Sequence, residues 1–353
     1  MSGHNPYTLS FGKIPTEYIG RTVIIESIMD ALTSEHIDAQ AFKITGMRGT
    51  GKTVTLTNIE KRCREKGDFY VVDLNSNRNI ITELVANLYS EVPSIAKFID
   101  ANLNLSAFGI GIGVSRKTPV VSMDVALKKL ATEIMQRKKR LLIVIDEARK
   151  TPDMIDFIQS FQILVRNDLP VFLVIAGLYE DIDAIENSDG TTFFLRAEKY
   201  EMTPLNLTYI TDSYRKNLSV SREEAEKLAH MTKGYAFAYQ VLGKYMWDAK
   251  AKSVSDTVLQ QFDDTLSEKV YKKIWSELAP KDRYFLQFIV QKDIIPVQEL
   301  LEAAKQSHSA WSVPRKRLKD KGIIDLSTRG IIQICLPRFK EFVEMQNLLD
   351  QVV

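Results

Sequence analysis

The chain is poor in the residues that form disulfide frameworks and metal centres. Its 353 residues include only two cysteines, Cys63 and Cys335, and four scattered histidines. This number and spacing fit neither a disulfide framework nor a zinc site. Sparse cysteine is typical of a reducing compartment, and a chain of this length can bury a sizeable core without cross-links.

Long apolar runs are missing as well. The N-terminal stretch MSGHNPYTLSFGKIPTEY contains no apolar segment of the kind found in signal peptides. The most apolar stretch elsewhere, LLIVIDEA, is far too short to span a bilayer. We therefore expect a cytoplasmic protein with no membrane partner.

A large excess of either charge is the third absence. The chain has 47 Lys and Arg against 45 Asp and Glu, a formal net charge of +2. This balance gives no overall electrostatic reason to expect a nucleic-acid or membrane partner, so such a role would require local clustering of charge. The length and the ordinary apolar content predict two or three globular domains.

The first 205 residues alternate short apolar runs with helical patterns. Because the runs are rich in β-branched residues and lack polar alternation, they predict a parallel sheet covered on both faces, an α/β fold. The predicted strands are 41–46, 69–75, 140–148 and 171–177. Predicted helices begin within 50–67 and cover 79–92 and 153–167.

Residues 104–124 interrupt this alternation. The segment is dotted with glycine and has alternating apolar residues, which favours a β-hairpin or an extended insertion. It could be an edge hairpin that closes the sheet or a loop that contacts a partner or DNA.

Strand signals end near residue 205 and consecutive amphipathic helices follow. We expect three domains: an α/β core over 1–205, a helical lid over 206–275 and a third domain over 276–353. In the lid, Ser219 or Ser221 is a candidate helix cap, and Glu224 stands three residues after Ser221 as in a capping box. The third domain shows three helices and then two apolar runs around STRG, which predicts a β-hairpin.

The motif GMRGTGKT, residues 46–53, matches the phosphate-binding loop (P-loop) pattern G-x-x-x-x-G-K-[ST] between a predicted strand and a predicted helix. Its glycines allow backbone N–H groups to point at phosphates, and the helix N-terminus adds favourable charge. Lys52 is expected to reach the β- and γ-phosphates of ATP, and the Thr53 hydroxyl to bind Mg²⁺. The expected nucleotide-binding residues here are Gly46, Met47, Arg48, Gly49, Thr50, Gly51, Lys52, Thr53 and Val54.

The apolar run LLIVIDEA ends in two acids, Asp146 and Glu147. An aspartate at the end of a buried strand is placed to hold Mg²⁺ beside a P-loop, and Glu147 could activate the attacking water. Strand ends often carry acids, so this pair alone is weak. Its place after the P-loop motif makes it a second ligand candidate.

With these motifs the sequence resembles the AAA+/STAND P-loop ATPases, close to archaeal and bacterial relatives of the origin-recognition ATPases. The resemblance implies a P-loop αβα sandwich, a helical lid and a C-terminal winged helix. It places Gly20 and Arg21 of the stretch YIGRT near the adenine, with Tyr18 and Ile19 packing nearby, and makes Ile19, Gly20 and Arg21 candidate nucleotide-binding residues. It also makes Arg196, in FFLRAEKYEMTPL, a candidate arginine finger, which would act across a nucleotide-dependent homo-oligomer. Otherwise Arg196 is a surface arginine paired with an acid such as Glu198.

Two departures from this family pattern imply slow hydrolysis. Where the family carries a polar sensor-1 residue, the strand 171–177 ends in Ala176 and Gly177. The lid stretch reads Gly234-Tyr235-Ala236-Phe237 and offers no sensor-2 arginine. Both features favour a switch-like ATPase over a rapid one.

Basic residues cluster in the last domain, on and after its third predicted helix. A helix of this kind can enter the major groove of DNA with its basic residues on phosphates. The candidate DNA-binding residues are Arg315, Lys316, Arg317, Lys319 and Arg329, with Lys321 nearby. The cluster could equally be a solvated helix face or a protein contact.

Two functions therefore remain open from the sequence. The first is a DNA-associated ATPase that couples ATP and Mg²⁺ binding to double-stranded DNA contact or assembly. The second is a STAND-like signalling or defence ATPase whose winged helix contacts protein.

Overall fold

The computed structural model describes residues 4–10, 12, 14–102 and 123–350. They form two compact units. The sheet unit comprises Gly20–Thr45 and Lys52–Glu201, and the helical unit comprises the described parts of Met1–Ile19, Gly46–Gly51 and Met202–Val353. None of the helices in the described ranges is both long enough and apolar enough to cross a bilayer.

The sheet unit alternates strands and helices. Its elements are α1 (Thr22–Thr33), β1 (Ala41–Thr45), α2 (Lys52–Lys66), β2 (Phe69–Asn75), α3 (Ile80–Glu91), α4 (Pro93–Asn102), α5 (Met123–Gln136), β3 (Arg140–Asp146), α6 (Pro152–Val165), β4 (Val171–Gly177), α7 (Tyr179–Glu186), a 3₁₀ turn (Thr192–Arg196) and β5 (Glu198–Glu201).

The five strands form one parallel sheet in the order β2-β3-β4-β1-β5. Every residue of the central strand β4 is buried, as is the interior of β3. This burial explains why both strands read as continuous apolar runs rather than alternating ones. The α/β fold predicted from the sequence is confirmed.

The strand β5 and the helix α4 are among the elements of this unit that have no counterpart among the predicted ones. The edge strand β5 reads Glu-Lys-Tyr-Glu and is mostly exposed, so it carries no apolar run. Helix α4 begins at Pro93, directly after α3. The hairpin predicted over 104–124 falls outside the described residues except for its last two positions, which begin α5.

The helical unit contains the remaining elements. They are α8 (Leu207–Leu218), α9 (Arg222–Met231), α10 (Ala236–Asp248), α11 (Asp256–Leu266), a π-helical turn (Ser267–Tyr271), α12 (Lys272–Ser276), α13 (Pro280–Ile289), β6 (Ile294–Pro296), α14 (Val297–Ala303), α15 (His308–Asp320), β7 (Ile324–Asp325), β8 (Ile331–Ile334) and α16 (Phe339–Asp350).

Of the two serines predicted as candidate helix caps, one is an N-cap and the other is not. Ser221 is the N-cap of α9, and its side chain accepts a hydrogen bond from the Glu224 N–H. Ser219 instead follows α8 in the left-handed conformation, with φ of 52°. The side-chain helix cap is therefore Ser221.

The N-terminal segment packs into the core of the helical unit through Tyr7. Its ring lies 5.6 Å from the ring of Tyr239 and 6.0 Å from that of Tyr214. A Cβ at Gly243 would lie only 2.6 Å from the Tyr7 ring, so α10 needs glycine at this position. Tyr7 thus belongs to the core of this unit.

The C-terminal part of the helical unit combines α13, α14 and α15 with a three-stranded antiparallel sheet in the order β6-β8-β7. The strands β7 and β8 flank the turn at STRG that the sequence predicts as a hairpin. The short strand β6 completes this sheet and was not predicted, because three residues carry no periodicity.

Candidate nucleotide site

The first two residues of α2, Lys52 and Thr53, are the last two residues of the phosphate-binding motif, and Thr53 meets the end of β3. The Thr53 hydroxyl donates a 2.5 Å hydrogen bond to Oδ2 of Asp146. The other carboxylate oxygen of Asp146 accepts the N–H of Glu147 at 2.8 Å. The structure thus brings together the two side chains predicted as metal ligands, which lie 93 positions apart in the chain.

A hydroxyl and a carboxylate are the oxygen donors that suit Mg²⁺. This ion commonly takes one or two protein ligands and completes its shell with phosphate oxygens and water. The Thr53–Asp146 pair therefore fits a magnesium nucleotide in its donor chemistry.

Two further carboxylates, Glu60 on α2 and Asp73 on β2, are close enough to Asp146 for its charge to act on their pKa values. Burial raises the pKa of Glu60 to about 7, with added contributions from the negative charges of Asp73 and Asp146. Burial and the charge of Asp146 also raise the pKa of Asp73. These three acids make the region favourable for a cation. Their grouping was not visible in the sequence, because it depends on how α2 packs against the sheet.

Glu147 adopts the left-handed backbone conformation, with φ of 49°. Its N–H is held by Asp146 and its carbonyl oxygen accepts a 2.9 Å hydrogen bond from the Ser76 hydroxyl. The Glu147 carboxylate is half exposed and lies 3.7 Å from Arg149. Non-glycine residues in this conformation carry strain and often mark functional sites.

The missing polar side chain at the end of β4 has a steric reason. A Cβ at Gly177 would lie 2.9 Å from the carbonyl oxygen of Ala148, in the turn after Glu147. The Ala148 N–H in turn donates to the carbonyl of Ala176 at 2.8 Å. The turn that carries Glu147 is therefore packed against β4 where only glycine fits.

The phosphate-binding loop Gly46–Gly51 groups with the helical unit. Gly49 and Gly51 have φ of +74° and +96°, a region that favours glycine. The Thr50 hydroxyl donates to the Met47 carbonyl at 2.9 Å, closing the loop from within.

Two residues at the start of α10 bind this loop. The Tyr235 hydroxyl donates a 2.6 Å hydrogen bond to the carbonyl of Arg48, and the Phe237 N–H donates to the carbonyl of Gly49 at 3.0 Å. Burial raises the pKa of the Tyr235 hydroxyl far above its usual value, which keeps it protonated as a donor. A Cβ at Gly49 would lie 2.1 Å from that hydroxyl oxygen. The sequence showed that this stretch lacks an arginine but did not predict that Tyr235 and Phe237 bind the loop.

Two more contacts of the loop involve Glu277, at the end of α12, and Gly322, just after α15. Arg48 Nη2 lies 3.1 Å from Glu277 Oε1. The Met47 side chain lies against Gly322, where an added Cβ would be 3.3 Å from the Met47 Cβ. Neither Glu277 nor Gly322 was singled out from the sequence.

The residues assigned from the family resemblance lie in both units. Ile19 is half-buried and packs against the core of the helical unit. Gly20 and Arg21 precede α1 in the sheet unit, where Arg21 is the N-cap position. Val54 is half-buried in the first turn of α2, and Arg196 is exposed at the end of the 3₁₀ turn.

The predicted DNA-contacting residues do not share one environment. Arg315, Lys316 and Lys319 are exposed on α15, and Arg329 is exposed between β7 and β8. Arg317 instead donates three hydrogen bonds of 2.6 to 3.0 Å to the buried carboxylate of Asp282. The inner face of α15 is formed by Trp311, Pro314 and Leu318.

By sequence, residues 268–343 match the family model described as a domain of unknown function, DUF8462. No curated protein matches the chain by sequence.

By structure, the chain is similar to the ORC2 protein of Aeropyrum pernix. In its ADPNP–ADP form that protein is 14% identical, with 98% of each chain covered and a TM-score of 0.58. Its ADP form is 13% identical, with the same coverage and a TM-score of 0.50. Cdc6p of Pyrobaculum aerophilum is 18% identical over 95% of this chain and 96% of its own, with a TM-score of 0.49. The likeness to ORC2 confirms the predicted α/β fold: the chain shares with that protein the P-loop NTPase fold.

Proposed function

We propose that the chain is an ATP-binding switch that hydrolyses ATP slowly. The observation that carries this proposal is the hydrogen bond between Thr53 and Asp146. It joins the last residue of the phosphate-binding motif to the acid at the end of β3, the two groups that would hold Mg²⁺.

Each chain element at this site has a role in binding ATP. The backbone N–H groups of Gly46–Gly51 and the N-terminus of α2 would receive the phosphates, and Lys52 would neutralise the β- and γ-phosphates. Thr53 and Asp146 would hold the Mg²⁺ that accompanies them. Ile19, Gly20 and Arg21 would lie near the adenine.

Glu147 is the proposed group that positions and deprotonates water. Its left-handed backbone is fixed by hydrogen bonds on both sides, which sets the direction of its side chain. No polar side chain is available from Gly177, and the lid offers Tyr235 and Phe237 to the loop instead of an arginine. These features favour slow turnover. Arg196 is a candidate arginine finger for a neighbouring copy.

The test of ATP binding is calorimetric titration with Mg-ATP. Lys52→Ala should abolish measurable binding, and Thr53→Ala should weaken it mainly when Mg²⁺ is present. Thr132→Ala is the matched control, because Thr132 is a half-buried helix threonine whose hydroxyl donates to the Lys128 carbonyl within α5. Equal affinity for Mg-ATP in wild type and Lys52→Ala would contradict the proposed nucleotide site.

The proposed output is nucleotide-dependent contact of the C-terminal domain with double-stranded DNA. Support comes from the exposed cations Arg315, Lys316 and Lys319 on one helix. The second candidate is a STAND-like signalling ATPase whose C-terminal domain contacts protein, since an exposed basic helix face suits either partner.

A DNA titration separates the two. Charge reversal of Arg315, Lys316 and Lys319 should weaken binding to duplex DNA and lower the salt slope by about one per lost phosphate contact. The control is Lys305→Glu, which changes charge at an exposed site outside α15. A wild-type protein that binds no duplex DNA at low salt, with or without ATP, would favour the signalling function.

A further inference from the structure

The side chains of Met47 and Arg48 occupy positions that the P-loop motif leaves open, and both contact the C-terminal domain. The Arg48 guanidinium pairs with Glu277 at 3.1 Å, and the two side chains are only 22% and 29% exposed. Met47 packs on Gly322, which has φ of +70° and no side chain to keep the loop away. Two consecutive loop residues thus contact that domain at two separate positions, Glu277 and Gly322.

These two points lie at helix ends. Glu277 is the C-cap of α12, two residues before Ala279, the N-cap of α13. Gly322 directly follows Lys321, the C-cap of α15. Both residues fall within 268–343, the stretch matched as one domain family. A shift of either helix end would therefore change a contact with the loop.

Glu277 carries its negative charge at neutral pH. Burial acts to raise its pKa, but the hydrogen bond from Lys273 and the positive charge of Arg48 outweigh burial and lower it. Lys273 lies 3.2 Å from the same carboxylate oxygen, which fixes Glu277 on α12. Arg48 therefore meets an anion that is already held in place.

Arg48 is held at its main chain as well. Its carbonyl oxygen accepts the Tyr235 hydroxyl from α10 while its side chain binds Glu277 after α12. Restraint at both ends of one residue lowers the entropy that the loop must lose when a ligand orders it.

We infer that Glu277 is a positioning residue for the phosphate-binding loop, which acts through Arg48 to preorganise the loop and couples its occupancy to the C-terminal domain. This inference rests on the proposed function, because it requires that the loop bind a nucleotide. Since coupling free energies are reciprocal, a nucleotide on the loop must stabilise the contacts of the domain by the same factor.

A double-mutant cycle with ADP binding measures this coupling without hydrolysis. Glu277→Gln and Arg48→Gln should each weaken ADP binding about fivefold, and the double variant should be no weaker than either single one. Arg48→Lys, which keeps the charge, should recover part of the affinity. The matched control is Glu299→Gln, which breaks the exposed ion pair with Lys292 in the same domain and should leave ADP affinity unchanged.

Hydrogen exchange supplies the second readout. ADP should slow amide exchange in the first turn of α13 in wild type, and this protection should be lost in Arg48→Gln. Thermal unfolding of each variant identifies any that fail to fold.

Failure of this inference is distinguishable from failure of the proposed function. If wild type does not bind ADP, or Lys52→Ala binds it equally well, the proposed function is wrong. If wild type binds ADP in a Lys52-dependent way while Glu277→Gln binds within twofold of wild type, or the two single losses add, the positioning role is wrong.

Discussion

The guanidinium of Arg317 binds both carboxylate oxygens of Asp282, a side chain with no exposed surface. The pair joins α15 to the first turn of α13, where Asp282 also accepts the Ala279 N–H at 3.3 Å. Arg317 thus belongs to the packing of the C-terminal part of the helical unit, although it stands in a run of basic residues that reads as one surface.

Removing the partner of a buried carboxylate is costly. We expect Arg317→Ala to lower the free energy of unfolding by about 3 kcal/mol, because Asp282 would remain buried without its cation. The exposed neighbour Arg315 is the control, and Arg315→Ala should change stability by less than about 0.5 kcal/mol. Denaturant unfolding measures both. Equal effects of the two substitutions would contradict a structural role for Arg317.

Glu147→Gln should separate ATP binding from turnover. The amide keeps the size of the side chain and leaves Thr53 and Asp146 unchanged, so affinity for Mg-ATP in calorimetry should stay within about threefold of wild type. An amide cannot accept a proton from water, so phosphate release should fall by about 100-fold or more. Turnover at the wild-type rate would exclude Glu147 as the base.

The raised pKa of Glu60 predicts a pH-dependent stability. Its pKa rises from 4.5 in the unfolded chain to about 7 in the folded protein, chiefly because of burial. The neutral form is therefore favoured in the folded state. The contribution of Glu60 to the free energy of unfolding is fully present below pH 4.5 and is lost as the pH rises through 7.

Glu60→Gln removes this loss because the amide is neutral at every pH. The stability of this variant relative to wild type should grow by about 1–2 kcal/mol between pH 5 and pH 8, allowing for partial solvent screening. Glu65→Gln, at an exposed position of the same helix, is the control and should show no such trend. Unfolding is followed without nucleotide or Mg²⁺, and parallel pH profiles for wild type and Glu60→Gln would refute the prediction.

Gly49 and Gly330 allow the effect of backbone strain to be separated from that of contact with Tyr235. Their φ angles are +74° and +76°, but an added Cβ meets the Tyr235 hydroxyl oxygen at 2.1 Å in the first case and open space in the second. Gly330→Ala should cost about 1 kcal/mol of stability from strain alone. Gly49→Ala should cost more and should also weaken ADP binding, measured by unfolding and calorimetry. Matching losses of stability would show that Tyr235 does not constrain the loop.

The parts of the fold that were predicted well are those with a local cause. The strands at 69–75 and 171–177 have the bounds expected from their apolar runs. For the strand 171–177 the reason is burial of every residue, because a strand buried on both faces excludes polar residues. The strand β5 was missed because an exposed edge tolerates charge. Its residues Glu198–Glu201 carry no apolar signal.

The residues of the candidate site also fall into those that the sequence could predict and those that it could not. The phosphate-binding motif and Asp146 are recognisable because chemistry requires particular residue types at particular spacings. Glu60, Tyr235 and Glu277 are not, since each acquires its role from a neighbour distant in sequence. Tyr235, for example, meets the carbonyl of a residue 187 positions away.

The contact between Gly49 and Tyr235 also limits how this protein can vary among relatives. The motif G-x-x-x-x-G-K-[ST] permits any residue at position 49, yet any side chain there would collide with the tyrosine ring system. A homologue that carries alanine, serine or a larger residue at position 49 should therefore have a smaller residue at position 235. Positions 49 and 235 are therefore expected to covary among homologues.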